Sequence, residues 1–363
     1  MKKIKVAVLF GGKSVEHEVS LQSAKNVIDA INKDKYDITL IGIDKNGEWH
    51  LNNLAKYLIN ENNPKLIKLN SSEDKVGLIP GNEHQLIKTN DFTPIGNIDV
   101  VFSVIHGATG EDGVLQGFLR LAEIPFVGPD VLSSAVCMDK DFAKRLLRDA
   151  NIPISNFVTC TKNNRTKISF DEVEKKLGLP LFIKPANLGS SVGISKVRNQ
   201  EEFDKALDLA FQFDTKILIE EFINGKEIEC SVMGNEEPLA SVVGEIIPTH
   251  DFYSYDAKYI DDKGAMTKIP ADISEGISEI VRKMAIETYK TLGCEGMARV
   301  DFFLTEDNKI CVNEVNTIPG FTKISMYPKM WETSGISYSE LIDKLITYAI
   351  ERDQVKKQLK TSV

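Results

Sequence analysis

Residues 5–10, KVAVLF, are continuously apolar after the lysine and run straight into Gly11-Gly12. Such a run suits a strand covered on both faces, the situation of a parallel strand inside a sheet. Val19, Ala24, Val27, Ile28 and Ile31 then recur at helical spacing, and residues 36–43, YDITLIGI, read as a second strand. Strand, glycine turn, helix and strand in that order predict a parallel α/β sheet. Residues 98–105, IDVVFSVI, add a third strand ending in His106-Gly107. Asn46–Gly96 between them is polar and weakly patterned. It reads either as a specificity insert or as a variable surface excursion.

The texture changes at Asp139. Residues 139–149 and 170–178 read as helices, the second closed by Gly178, with another helix at about 200–211. Strands at 181–184, 193–197 and 217–221 make this an α+β block with hairpins. After Ser231 come a strand, an irregular stretch from Pro248 to Pro270 and a helix at 275–291. Strands at 298–304 and 310–316 and a C-terminal helix from about Ser337 complete the chain. A length of 363 residues accommodates two or three such units, each with its own core.

Composition narrows the function classes. Lys+Arg is 44 against 53 Asp+Glu, a formal net charge of -9, which argues against nucleic-acid binding by bulk charge. No segment approaches the ~20 apolar residues of a membrane span. Met1–Phe10 lacks a small-residue cleavage site and reads as a buried strand, not a signal peptide. The five cysteines, odd in number and without C-x-x-C spacing, indicate free thiols in a reducing cytosol.

Three glycine-rich segments follow strands. KPANLGSSVG (184–193) joins two strands and offers backbone N–H groups and the Ser190 and Ser191 hydroxyls to phosphate oxygens, with Lys184 as a cation. The alternative is a flexible hairpin turn. Gly12-Lys13-Ser14 is not a Walker A loop, because that motif needs glycine where Ala7 stands. It lies instead where a parallel strand ends, the usual ligand-binding edge of an open α/β sheet, so Ser14, Glu16 and His17 are placed to meet a small ligand. HGATGEDG (106–113) has the same position after the third strand, and its histidine is either structural or ligand-facing.

A hairpin carries the strongest chemical signal. Centring the turn on Asp307-Asn308 makes Asp301 face Glu314 and Arg299 face Asn316. Alternation then puts all four on one face with Phe303 and Val312. Directly opposed carboxylates repel unless a cation lies between them. An all-oxygen set from Asp, Glu and Asn suits magnesium or manganese and not zinc. The competing reading is an Arg299–carboxylate salt-bridge network.

Eight segments together resemble the D-alanine–D-alanine ligase family of the ATP-grasp superfamily. They are GGKSVEHEVS (11–20), HGATGEDGVLQG (106–117), MDK (138–140), KPANLGSSVGIS (184–195), EEFINGKE (220–227), YDAKY (255–259), ARVDFF (298–303) and NEVNTIPGFT (313–322). The resemblance covers nearly the whole chain except Asn46–Gly96. It implies a Rossmann-like N-terminal α/β substrate domain (1–137) and a two-part ATP-grasp domain (138–232 and 233–363) with a lid loop at about 248–270. It further implies formation of a D-alanyl phosphate from ATP, attack by a second D-alanine, and a dipeptide for cell-wall peptidoglycan. By the same resemblance, Lys140, Lys184, Ser190, Ser191 and Lys258 meet ATP phosphates, Glu220, Phe222 and Ile223 the adenine, and Glu227 the ribose. Asp301, Glu314 and Asn316 bind two Mg2+ or Mn2+ ions. Glu16 holds the ammonium group of the first D-alanine, His106 lies near its carboxylate, and Ser325 with Lys258 fixes the second substrate and the transferred group. Arg299 and the Gly320 N–H stabilise the oxyanion, while Glu16, Ser190 and Tyr259 form a trio joining the subdomains. A cytosolic homodimer without nucleic-acid or membrane partners completes the expectation. Ligases using D-lactate or D-serine, and a silent nucleotide-binding relative, are the competing readings; Tyr259 within YDAKY favours D-alanine as acceptor.

Overall fold

A computed structural model describes residues 2–81, 85–248 and 265–360. The expected N-terminal unit begins with β1 (Ile4–Gly11), α1 (His17–Ala30) and β2 (Tyr36–Ile43). β3 (Trp49–Asn52) follows, then the short strands β4 (Leu58–Ile59), β5 (Lys68–Leu69), β6 (Val76–Leu78), β7 (Gln85–Lys88) and β8 (Pro94–Asn97). β9 (Val100–Ser103), α2 (Val114–Leu121) and α3 (Val131–Met138) complete the region. The main sheet has the order β3-β2-β1-β9. β1 pairs in parallel with β2 and β9, whereas β3 adds an antiparallel edge. The polar stretch 46–96 therefore supplies one strand of the main sheet and two small sheets, β4-β5 and β6-β7-β8. The third expected strand is shorter than 98–105, because the chain leaves the ladder at Ser103 to enter the His106 loop.

The central unit contains α4 (Lys140–Asp149), β10 (Phe157–Thr161), α5 (Phe170–Leu177), β11 (Leu181–Pro185), β12 (Ser195–Val197), α6 (Gln200–Ala210) and β13 (Lys216–Glu221). Its sheet is antiparallel, order β10-β13-β11-β12, and packs on α5 and α6 through Phe170, Val173, Phe203 and Leu207. α5 stops where Gly178 adopts φ +75°, a left-handed value that favours glycine.

The third unit holds β14 (Gly225–Gly234), β15 (Leu239–Pro248), β16 (Ala265–Lys268), α7 (Glu275–Thr291), β17 (Gly296–Thr305), β18 (Ile310–Asn316), α8 (Met326–Thr333) and α9 (Tyr338–Lys357). The sheet order is β16-β15-β14-β17-β18, all antiparallel. Two expectations are corrected here. The strand near Ser231 begins at Gly225, and the stretch 248–270 contains a strand at its end, β16. Alternation of apolar residues is weak in β16, so the sequence alone left it irregular.

α9 packs on its own sheet at Met233 and Met297 and reaches beyond it. Leu341, Ile342, Leu345 and Ile346 are fully buried in one core with Val8 and Phe10 of β1, Val100 and Phe102 of β9, and Leu21, Ala24 and Val27 of α1. Ser337 and Glu340 start this helix with reciprocal capping bonds. Near its end, the buried Arg352 donates to Gly128 O at 2.6 Å and Phe126 O at 2.7 Å. The last helix thus covers one face of the first sheet. Leu345→Ala is expected to destabilise the chain by about 2–5 kcal/mol, because the cavity lies in this shared core. Urea unfolding with both activity and circular dichroism as probes checks this.

Candidate functional site

The glycine segment 184–193 leaves β11 and returns as β12, an antiparallel hairpin as expected. Ser190 and Ser191 adopt φ of +54° and +60°, values that cost non-glycine residues energy and cluster at functional sites. Lys140 opens α4 directly beneath this loop: its N–H donates to Ala186 O at 3.0 Å and its Nζ to Leu188 O at 2.7 Å. Asp139 caps the same helix by accepting from Phe142 N at 3.2 Å.

Lys140, Lys184, Ser190, Ser191, Glu220, Phe222, Ile223 and Glu227 all line one cavity of about 250 Å³ between the central and third sheets. Lys258, the remaining residue assigned to ATP, lies outside the described residues, as does Tyr259. Phe182 and Phe222 stand at the apolar end with ring centroids 6.0 Å apart, and Lys196 Nζ sits 4.3 Å from the Phe222 ring. Flat rings and a cation beside them suit a planar heterocycle.

Glu220 is buried, and its carboxylate meets Lys184 Nζ at 2.9 Å and Lys144 Nζ at 3.4 Å. Burial alone would raise its pKa; the two ammonium groups outweigh that and hold it below the ordinary carboxylate range. Lys144, fully buried, has its pKa lowered by burial despite Glu220. Sequence analysis did not single out Lys144. Its position one turn after Lys140 on α4 was the available signal.

On the β17–β18 hairpin, Asp301 opposes Glu314 and Arg299 opposes Asn316, as the sequence register required. Nearer the turn the register is different. Leu304 pairs with Ile310 and Phe302 with Val312, so the turn centres on Asp307, and Asn313 is an extra residue in β18. Val312 is consequently buried in the core opposite Phe302 and does not share the functional face, contrary to expectation. The bulge turns Asn313 toward the cavity, where its Oδ1 lies 3.4 Å from Lys184 Nζ.

Arg299 donates from Nε and an Nη to the two Asp301 oxygens, both at 2.7 Å, and lies 3.1 Å from Glu229. The salt-bridge reading of this face is therefore present. It does not exhaust the donors. Each carboxylate oxygen can accept more than one bond, Glu314 reaches Lys140 at 3.3 Å, and Asn316 Oδ1 is buried without a hydrogen-bond partner among the described residues. An orphaned amide oxygen beside two carboxylates fits a hard divalent cation.

The strand-end groups of the first sheet reach the same region. The Ser190 hydroxyl donates to Glu16 Oε1 at 2.5 Å, joining the loop of the central unit to the turn after β1. Gly107 adopts φ +78°, a left-handed value that favours glycine, and a Cβ there would crowd Glu16 Oε2 at 2.7 Å and Ser14 Oγ at 2.8 Å. His106 is buried with Nε2 2.9 Å from Ser23 Oγ and Nδ1 3.0 Å from Ile318 O. Burial opposes its charge, but Glu111, Glu16 and the Ile318 carbonyl raise its pKa overall. Burial in turn pushes the Glu111 carboxyl up to about 6, against the lowering effect of His106. Glu111 lies within the 106–113 motif, where nothing in the local pattern marks it as the partner of His106. Gly320 lies against Ser325, whose Oγ accepts from Thr322 N at 3.0 Å and would be 2.6 Å from a Cβ at Gly320.

Comparison with known proteins matches this architecture along the chain. The model of the D-ala D-ala ligase N-terminus matches residues 5–129, and that of the D-ala D-ala ligase C-terminus residues 146–347. A D-alanine–D-alanine ligase of Oceanobacillus iheyensis is 57% identical over 363 residues, covering 100% of this chain and 99% of its own length. D-alanine–D-alanine ligase A of Escherichia coli K12 is 55% identical over 364 residues, covering 100% of both chains. Among solved structures, the D-alanine-D-alanine ligase from Coxiella burnetii superposes with a TM-score of 0.85 at 38% identity, covering 99% of this chain and 97% of that one. The VanG D-Ala:D-Ser ligase from Enterococcus faecalis gives 0.84 at 42% identity, covering 96% and 100%. With both family models matched in order and full-length relatives above half identity, the chain belongs to the D-alanine–D-alanine ligase family.

Proposed function

We propose that this chain joins two molecules of D-alanine into D-alanyl-D-alanine with conversion of ATP to ADP and phosphate, for peptidoglycan synthesis. The observation that carries this reading is the Ser190–Glu16 bond. It sets the loop suited to phosphate against the strand-end groups suited to an amino acid. Carboxylate activation by ATP requires that adjacency.

In this reading the adenine lies by Phe222, Ile223 and Glu220, the ribose by Glu227, and the phosphates by Lys140, Lys184, Ser190 and Ser191. Asp301, Glu314 and Asn316 would hold two Mg2+ or Mn2+ ions, which when bound neutralise phosphate oxygens and polarise the transferred group. Glu16 takes the ammonium of the first D-alanine, and His106 lies near its carboxylate. That carboxylate attacks the terminal phosphoryl group, whose bond to ADP breaks, to give an acyl phosphate and ADP. The neutral amine of the second D-alanine then attacks the acyl carbon. Arg299 and the Gly320 N–H receive the negative charge that develops on oxygen, and phosphate departs. Ser325 and Lys258 orient the second substrate, and Tyr259 on the 248–270 segment extends the Ser190–Glu16 pair to keep water out. The 1–137, 138–232 and 233–363 divisions supply respectively the amino-acid groups, the phosphate loop and the metal-facing hairpin. The same reading includes a homodimer in the cytosol; the five free cysteines fit a reducing compartment, and the homodimer rests on the family resemblance alone.

Four outcomes test the proposal. Phosphate release should require D-alanine, Mg2+ and ATP together; release that persists without D-alanine removes the ligase reading. Ser190→Ala should lower kcat/KM by about tenfold to a hundredfold, the cost of a lost hydrogen bond to a charged group, with retained folding checked by circular dichroism. Glu314→Gln should raise the Mg2+ concentration for half-maximal rate at least about tenfold. For the acceptor, D-alanine, D-serine and D-lactate offered together at neutral pH should yield mainly D-alanyl-D-alanine by chromatography. Dominance of the D-serine product would move the chain to the specificity of the VanG relative.

A further inference from the structure

Away from the nucleotide cavity, the turn between β2 and β3 brings together Asp44, Glu48 and His50, whose ligating atoms lie within 4.8 Å of one another. His50 is buried, and its side chain is only 5% exposed. Its Nδ1 lies 2.7 Å from Ser72 O. A carbonyl only accepts, so Nδ1 carries the proton and the tautomer is set. Nε2 is left buried with no hydrogen-bond partner among the described residues, 3.6 Å from Asp44 Oδ2. A protonated Nε2 facing a carboxylate would close to about 2.7–2.9 Å. Two metal bonds of about 2.0–2.1 Å at a tetrahedral angle hold their donors about 3.3 Å apart, close to the gap observed.

The rest of the turn supports the same geometry. Asp44 Oδ1 accepts from Asn46 N and Glu48 N, each at 2.9 Å, which pins the carboxylate and points Oδ2 at the imidazole. Asn46 Nδ2 approaches that oxygen at 3.4 Å. Glu48 is exposed and can swing inward; its Oε1 now meets Lys75 Nζ at 2.6 Å. Lys75 is therefore a competitor for that ligand.

We propose that Asp44, Glu48 and His50 form a second divalent-cation site, separate from the Asp301 hairpin and selective for a zinc-like ion. One imidazole nitrogen and two carboxylates leave a fourth position for water, the donor set of zinc and not of magnesium. The site clips the β2–β3 hairpin beside Ile43, whose carbonyl accepts from Gly12 N at 2.7 Å. A bound ion therefore stiffens the strand end next to the Gly11-Gly12 turn.

The test is zinc titration calorimetry on the chelator-stripped full chain with millimolar Mg2+ present throughout, so that oxygen-only sites are filled. Wild type should bind one zinc ion and gain thermal stability. His50→Gln should weaken zinc at least about tenfold, and Lys75→Met should tighten it severalfold by freeing Glu48. Cobalt should show the intense visible bands of a four-coordinate site in wild type and lose them in His50→Gln. Circular dichroism and ATP binding verify that each variant is folded; if His50→Gln is not, Asp44→Asn and Lys75→Met carry the same comparison. Wild type without zinc binding, or zinc binding unchanged across these variants, overturns the proposal.

Discussion

Two carboxylates fixed side by side on a sheet face repel strongly once water is thinned around them, and that repulsion must be met by cations. Asp301 and Glu314 are placed in this way by the β17–β18 ladder. Arg299 answers one and Lys140 approaches the other, each from a different part of the chain. Behind them a second set repeats the pattern, with Glu220 between Lys184 and Lys144. Alternating buried charges of this kind are costly unless nearly every lone pair is engaged. Asn316 Oδ1, buried without a hydrogen-bond partner among the described residues, is a further donor the proposed ions would engage.

This electrostatic face is useful only because distant segments close on it. Ser190 binds Glu16 across the central and first units, and His106 binds the Ile318 carbonyl just beyond β18. α9 then fastens the first sheet to the third unit through its apolar face and Arg352. The groups of the proposed site are polar and hold one another by few bonds, so their spacing depends on this apolar packing. Reacting groups drawn from three segments can be held at fixed spacing without any of those segments being catalytic alone.

Much of this was legible locally. β1, α1 and β2 follow from an apolar run, a 3.6-residue period and a second apolar run, signals that lie within a few residues of one another. The Asp301–Glu314 opposition was also legible. The turn lies half a residue nearer the N-terminus than inferred, and the extra Asn313 restores the register at the charged pair. A bulge leaves no mark in a period-two pattern of seven residues. Strands as short as Leu58–Ile59 and Lys68–Leu69 were not legible in the polar stretch, since two residues establish no period.

The sequence by itself determined the local elements, the hairpin carrying Arg299, Asp301, Glu314 and Asn316, and the family to which these motifs belong. It did so because periodicity, turn chemistry and motif spacing are encoded over short distances along the chain. Only the tertiary structure decided that Lys144 is buried against Glu220, that Glu111 stands behind His106, and that the last helix covers the first sheet. Those contacts join residues up to hundreds of positions apart. Their partners are selected by shape and by the need to pair each buried charge, and neither leaves a pattern in the amino-acid order.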